Sequence, residues 1–159
     1  MNLAKKVAFA IILSLAALWS GMADARDITL GKLVIHQPWI KLAPGSSDFG
    51  AAYARIENTG SEDDALIKVA VEGVPMVQIH QMKLEGDVMK MDEMKDGLPV
   101  PAGKTIELKP KSSHIMLMGL KTRFKPGEDI NGTLTFAKAG AVNVDFEVVA
   151  PGADAPQEN

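Results

Sequence analysis

Beyond Arg26 this chain has no long segment in which apolar residues recur at helical spacing, and that decides most of what it can fold into. Short β-branched runs follow one another instead: "DITLGKLVIH", "AAYARIEN", "ALIKVAVEG", "MVQIHQM", "VMKM", "TIELK", "HIMLMGL", "INGTLTFA" and "VNVDFEVVA". Turn residues separate them at Asn58-Thr59-Gly60, Gly73-Val74-Pro75, Glu85-Gly86-Asp87, Pro101-Ala102-Gly103, Pro126-Gly127 and Ala139-Gly140. Eight or nine such strands in one domain predict an all-β, Greek-key β-sandwich, with a closed barrel as the competing solution.

The first 25 residues stand apart from this pattern. Lys5 and Lys6 precede an apolar run from Val7 to Trp19, and Ala23-Asp24-Ala25 offers a small-x-small cleavage site. Residues 1–25 are therefore expected to be a cleavable secretory signal peptide. Its apolar run of about 13 residues is short of the roughly 20 that span a bilayer, and no cysteine follows it, so neither a membrane anchor nor a lipid anchor is expected. Removing 25 residues from 159 leaves 134, enough for one domain over 26–150 and a loose polar tail over 151–159. Without Lys5, Lys6 and Asp24 the charged residues number 15 basic and 19 acidic, a net charge of −4 that gives no support to nucleic-acid binding.

Exported domains often rely on disulfides, yet this sequence has no cysteine. Stability has to come from burial and backbone pairing, and any soft sulfur chemistry from methionine. Seven of the nine methionines lie between Met76 and Met118, together with two of the three histidines, His80 and His114. Methionine commonly fills gaps in cores. The strand faces argue for something else here. Side chains two apart in a strand share a face, so Ile115 and Leu117 oppose His114, Met116 and Met118, while Val77 and Ile79 oppose Gln78, His80 and Met82. With the aliphatic residues assigned to the core, each histidine keeps a methionine two residues on at the other face. A two-residue Glu85-Gly86 loop would pair Leu84 with Asp87, Met82 with Met89, and His80 with Met91; a three-residue loop would turn Met91 away.

Imidazole and thioether form a soft, neutral donor set that suits Cu(I), whereas Zn(II) favours thiolate, imidazole or carboxylate, and Ca(II) or Mg(II) need oxygen. A blue-copper electron carrier would require a cysteine thiolate, so carriage of copper is expected rather than electron transfer. His36 is read as a surface or hydrogen-bonded residue. Met82, Met89, Met94 and Met118 lie near the proposed site without an assigned role. Catalysis is not expected: Ser112, Ser113 and His114 are merely contiguous, and no paired carboxylates stand out. The alternative from another class is an Ig-like adhesion or assembly module whose methionine-rich face binds peptides without metal.

The spacing His80-x10-Met91-x22-His114-x-Met116 resembles that of the periplasmic PCu(A)C copper chaperones, usually written H-x10-M-x21-H-x-M. The segments "QPWIKLAPG", "AAYARIENTGSEDDAL", "GDVMKM", "VPAGKTIELKP" and "HIMLMGLK" are similar to that family as well. Two departures stand out: the second interval is one residue longer, and Lys41 occupies a position where arginine is frequent. The resemblance implies a cupredoxin-like β-sandwich in the periplasm that holds one Cu(I) through His80, Met91, His114 and Met116. It further implies exchange with copper-donating and copper-accepting proteins, typically toward the copper site of cytochrome c oxidase. Some relatives carry a Met- and His-rich C-terminal extension for further copper; "VVAPGADAPQEN" has neither residue, so a single site is expected.

Overall fold

A computed structural model describes residues 27–155; the expected signal peptide lies outside them. Eleven strands account for the regular structure, and no helix occurs among the described residues. They are β1 (Ile28–Leu30), β2 (Leu33–Leu42), β3 (Phe49–Asn58), β4 (Asp64–Val71), β5 (Met76–Glu85), β6 (Val88–Glu93), β7 (Leu98–Val100), β8 (Thr105–Leu108), β9 (His114–Met118), β10 (Asp129–Phe136) and β11 (Gly140–Val148).

Hydrogen bonding runs β6-β5-β9-β3-β2-β11-β10-β4-β7, with β1 added to β2 and β8 to β3. Among the described residues the strand pairs are antiparallel except β11 with β2, where Glu147 and Val148 meet Trp39 and Ile40 in parallel. β2 is where the path turns from one layer to the other. Its first residues pair with β1 on one edge, and its later residues pair with β11. Between them the register with β3 shifts from His36 to Trp39, with Gln37 at φ 43° and Pro38 unable to donate to the ladder. A bulge of this kind lets one strand serve two sheets.

The two layers close on one core. Ile35, Ile40, Ile56, Ile115 and Leu117 come from β2, β3 and β9, while Leu66, Leu134, Phe136, Val144, Phe146 and Val148 come from β4, β10 and β11. Their membership in a single buried cluster makes the architecture an all-β sandwich, as the strand pattern predicts. Two sequence expectations need correction. "DITLGKLVIH" is a hairpin rather than one strand, because Gly31 at φ +59° turns the chain so that Leu30 faces Leu33. β7 was not anticipated, since Pro99 demotes so short a run from sequence.

Past β11 the chain crosses the outside of β2 and β3. Val149 and Ala153 pack on Trp39 and Tyr53, whose rings lie 4.3 Å apart at 33°, and Lys41 reaches Asp154 at 2.8 Å.

Ile115 and Leu117 anchor β9 from beneath and are wholly buried. Ile115→Ala should therefore lower the unfolding free energy by about 2–5 kcal/mol, measured by urea denaturation. A loss below about 0.5 kcal/mol would mean that β9 does not seal the core.

Candidate metal centre

The ladder between β5 and β9 brings the two histidines together. Its register is Met76 with Met118, Val77 with Leu117, Gln78 with Met116, Ile79 with Ile115, and His80 with His114. Directly opposed residues point to the same side of a sheet. Val77, Ile79, Ile115 and Leu117 therefore enter the core, leaving Met76, Gln78, His80, His114, Met116 and Met118 on the outer surface. The strictly alternating sequences of both strands impose this division.

The His80 and His114 rings lie 5.8 Å apart at 72°. Each is oriented by a hydrogen bond through one nitrogen. His114 Nδ1–H donates to the Ser112 carbonyl at 3.0 Å, which leaves Nε2 with the free lone pair. His80 Nε2–H donates to Gln78 Oε1 at 3.0 Å, which leaves Nδ1 as the free nitrogen. That Nδ1 atom is buried and has no hydrogen-bond partner. A buried acceptor without a donor costs about 1–3 kcal/mol, a penalty that a bound cation would relieve. The orienting roles of Gln78 and the Ser112 carbonyl go beyond the sequence expectations; the signal for Gln78 is its place two residues before His80, on the same face.

The β5–β6 hairpin differs from the expected register. Glu85 pairs with Val88, Leu84 with Met89, Met82 with Met91, and His80 with Glu93. Glu85 stays in the ladder and the two-residue turn is Gly86-Asp87, with Gly86 at φ +64°. Glycine in the first turn position is what a type II′ hairpin demands, whereas a Glu85-Gly86 turn would put glutamate there. The slip amounts to two residues, so the faces are preserved. Met91 shares the outer face with His80 but stands diagonally from it, a separation of about 7–8 Å between backbones that a long side chain can cover.

Donor exposure is graded. His114 is 5% exposed, His80 and Met116 are intermediate, and Met91 is 48% exposed. Met82 faces Met91 across the hairpin, Met89 is open to solvent, and Met94 packs against the core, with its N–H donating to the Ile79 carbonyl. His36 is elsewhere: its Nδ1 meets Asp27 at 2.7 Å and its Nε2 meets Glu57 at 3.2 Å, in keeping with a hydrogen-bonded residue. Among the described residues no three His, Cys, Asp or Glu side chains gather as a metal cluster, and the further soft donors on the face of the histidine pair are methionines. The donor chemistry fits a soft monovalent ion: two imidazoles, each with one nitrogen outside its orienting hydrogen bond, and thioethers on the same face.

The all-β, cupredoxin-like sandwich is the architecture of the PCuAC domains. The copper-bound PCuAC domain from PmoF2 is 26% identical with a TM-score of 0.66, over 79% of this chain and 98% of that one. The apo PCuAC domain from PmoF1 is 27% identical with a TM-score of 0.67, over 79% and 99%. CuI-DR1885 from Deinococcus radiodurans is 26% identical with a TM-score of 0.62, over 80% and 83%. Residues 33–148 match the family described as "Putative lipoprotein LpqE-like", and the chain belongs to that family. Among curated proteins, "Putative lipoprotein Lxx21020" of Leifsonia xyli is 35% identical over 103 residues, and "Uncharacterized protein RP573" of Rickettsia prowazekii is 24% identical over 115 residues. The matches take in 65% and 69% of this chain and span 61% and 64% of those relatives.

Burial first, then the neighbouring His114, push the His80 imidazole below its ordinary range, against the opposing pull of Glu93. The folded chain thus binds a proton at His80 less readily than the unfolded chain. The stability associated with neutral His80 is fully present above about pH 6.5 and is lost as the pH falls through the lowered folded value. In an NMR titration of the metal-free protein, His80 should titrate below about pH 6.5, and His114→Ala should raise its midpoint. A midpoint unmoved by that substitution would show that the two rings are not coupled.

Proposed function

We propose that this protein carries one Cu(I) ion, held by His80 Nδ1, His114 Nε2, Met91 and Met116, and delivers it by ligand exchange. The observation that carries the reading is the His80–His114 cross-strand pair, in which His80 Nδ1 is buried without a hydrogen-bond partner. Likeness to a copper-bound PCuAC domain and to a Cu(I) form supports copper as the cargo. The donor set supports the reduced ion, because thioether sulfur favours Cu(I).

Each residue has a distinct task. Ser112 and Gln78 hold the imidazoles in the tautomers that leave Nε2 of His114 and Nδ1 of His80 free. His114, almost fully buried, anchors the ion at its inner side. Met91 lies on an exposed hairpin strand that pairs with β5 alone, which makes it the donor that an acceptor's ligand replaces most easily. This is carriage and hand-off rather than catalysis. The proposed setting is the periplasm, reached through the signal peptide over residues 1–25, with residues 26–150 as the copper-binding domain. The proposed destination is an oxidase copper site or its assembly factor. An apolar face without metal would serve an adhesion module equally well, but such a module has no use for a buried, unpartnered imidazole nitrogen.

Anaerobic reconstitution followed by metal analysis should find about one Cu(I) per chain, on the one-site reading of the donor set. The Met91→Leu, Met116→Leu double variant should lose most of its affinity while staying folded. Copper retention should also weaken between pH 7 and pH 5, because protons compete with the metal for imidazole nitrogen. Full loading of a His80→Ala, His114→Ala variant would overturn the proposal.

A further inference from the structure

The four proposed ligands leave a second methionine pair unused at the far end of the same face. Met76, the first residue of β5, directly opposes Met118, the last residue of β9. Such positions place side chains about 5 Å apart at the Cβ atoms, close enough for two thioethers to meet. On its other edge Met118 faces Phe49 of β3. Met76 and Phe49 are 54% and 44% exposed and Met118 is half-buried, so the pair opens to solvent on its Met76 side.

The pair is also held in place. Gly119 follows Met118 at φ +75°, and a Cβ there would stand 3.1 Å from Pro75 Cγ, the residue preceding Met76. This close approach fastens the end of β9 to the start of β5. Met116 lies two residues from Met118 on the same face, next toward His114. Three thioethers thus run along the sheet from the exposed end to the histidine pair, with no charged side chain among their ladder partners Phe49, Ala51 and Gln78.

We propose that Met76 and Met118 form a separate docking station for a soft monovalent cation, sharing Met116 with the His80–His114 site. Thioethers without imidazole bind such an ion more weakly than the mixed set, and exposure lets it arrive or leave freely. The Phe49 ring shields one side and attracts the cation through its π-face. Sliding between stations requires only that Met116 stay bound while the remaining ligands change. The inference rests on the Cu(I) reading of the histidine site, since the station is defined by its connection to that site.

The test is a titration with Ag(I), a redox-inert soft monovalent ion, of protein labelled with 13C in its methionine methyl groups and 15N in its histidine rings. The first equivalent should move the His80, His114, Met91 and Met116 signals. A second, weaker phase should move Met76 and Met118. In the Met76→Leu, Met118→Leu variant the second phase should vanish while the first persists. Histidine signals that move without any response from Met76 or Met118 would overturn the station and leave the histidine site standing. Met76 and Met118 responding within the first equivalent would make them primary ligands, which also overturns it. Movement of those two methionines alone would sink the histidine site and, with it, the two-station arrangement; no movement anywhere would sink both.

Discussion

Pairing β5 with β9 in antiparallel register fixes two surfaces at once. Ile79 and Ile115 face each other in the core, and one position further on His80 and His114 face each other outside it. Neither half can be altered alone, because a slip of one residue would expose the isoleucines and bury the imidazoles. The hydrophobic gain from sealing the sandwich therefore also enforces the meeting of the two histidines. Their separation of 34 residues in sequence is bridged by β6, β7, β8 and the turns between them.

The face that results is chemically uneven in a useful way. On the β5–β9 side, polar and sulfur-bearing residues sit over an aliphatic layer and are oriented by Gln78 and the Ser112 carbonyl. On the β2–β3 side the same sheet surface is covered, because Trp39 and Tyr53 stack beneath Val149 and Ala153, and Lys41 holds Asp154. Lys41, a departure from the arginine frequent in the resembled family, is thus engaged with Asp154, in a ladder row that runs through Ala51 to Met116. Burial of the tyrosine, with help from the Asp154 carboxylate, raises its hydroxyl above the ordinary range.

Much of this was legible in the sequence because strands write their faces in alternate letters. "VQIHQM" and "HIMLMGL" separate core from surface without knowledge of their neighbours, and the structure keeps that separation. What alternation cannot encode is which strands lie side by side: nothing local to His80 or His114 states that β5 and β9 are partners. The exposed hairpin posed a different difficulty. "EGDV" admits turns centred on either side of Gly86, and both keep Met91 on the His80 face, so alternation is the same for either turn. Backbone preference for glycine at the first turn position made the choice. The corner in β2 was hidden for a similar reason, since "HQPW" carries a proline but no glycine, and the positive φ falls on Gln37.

The two-residue turn at Gly86-Asp87 has a consequence for how such chains can change length. In a hairpin of this type, inserting or deleting a single residue between His80 and Met91 while keeping the turn reverses the parity of one arm and throws the sulfur to the opposite side. Paired changes preserve it. The route from Met91 to His114 instead passes through irregular connections around residues 94–97, 101–104 and 109–113, where one extra residue can be accommodated without touching either ladder. Length variation in this sequence, relative to the family spacing, falls in the second interval, where the architecture is indifferent to odd and even.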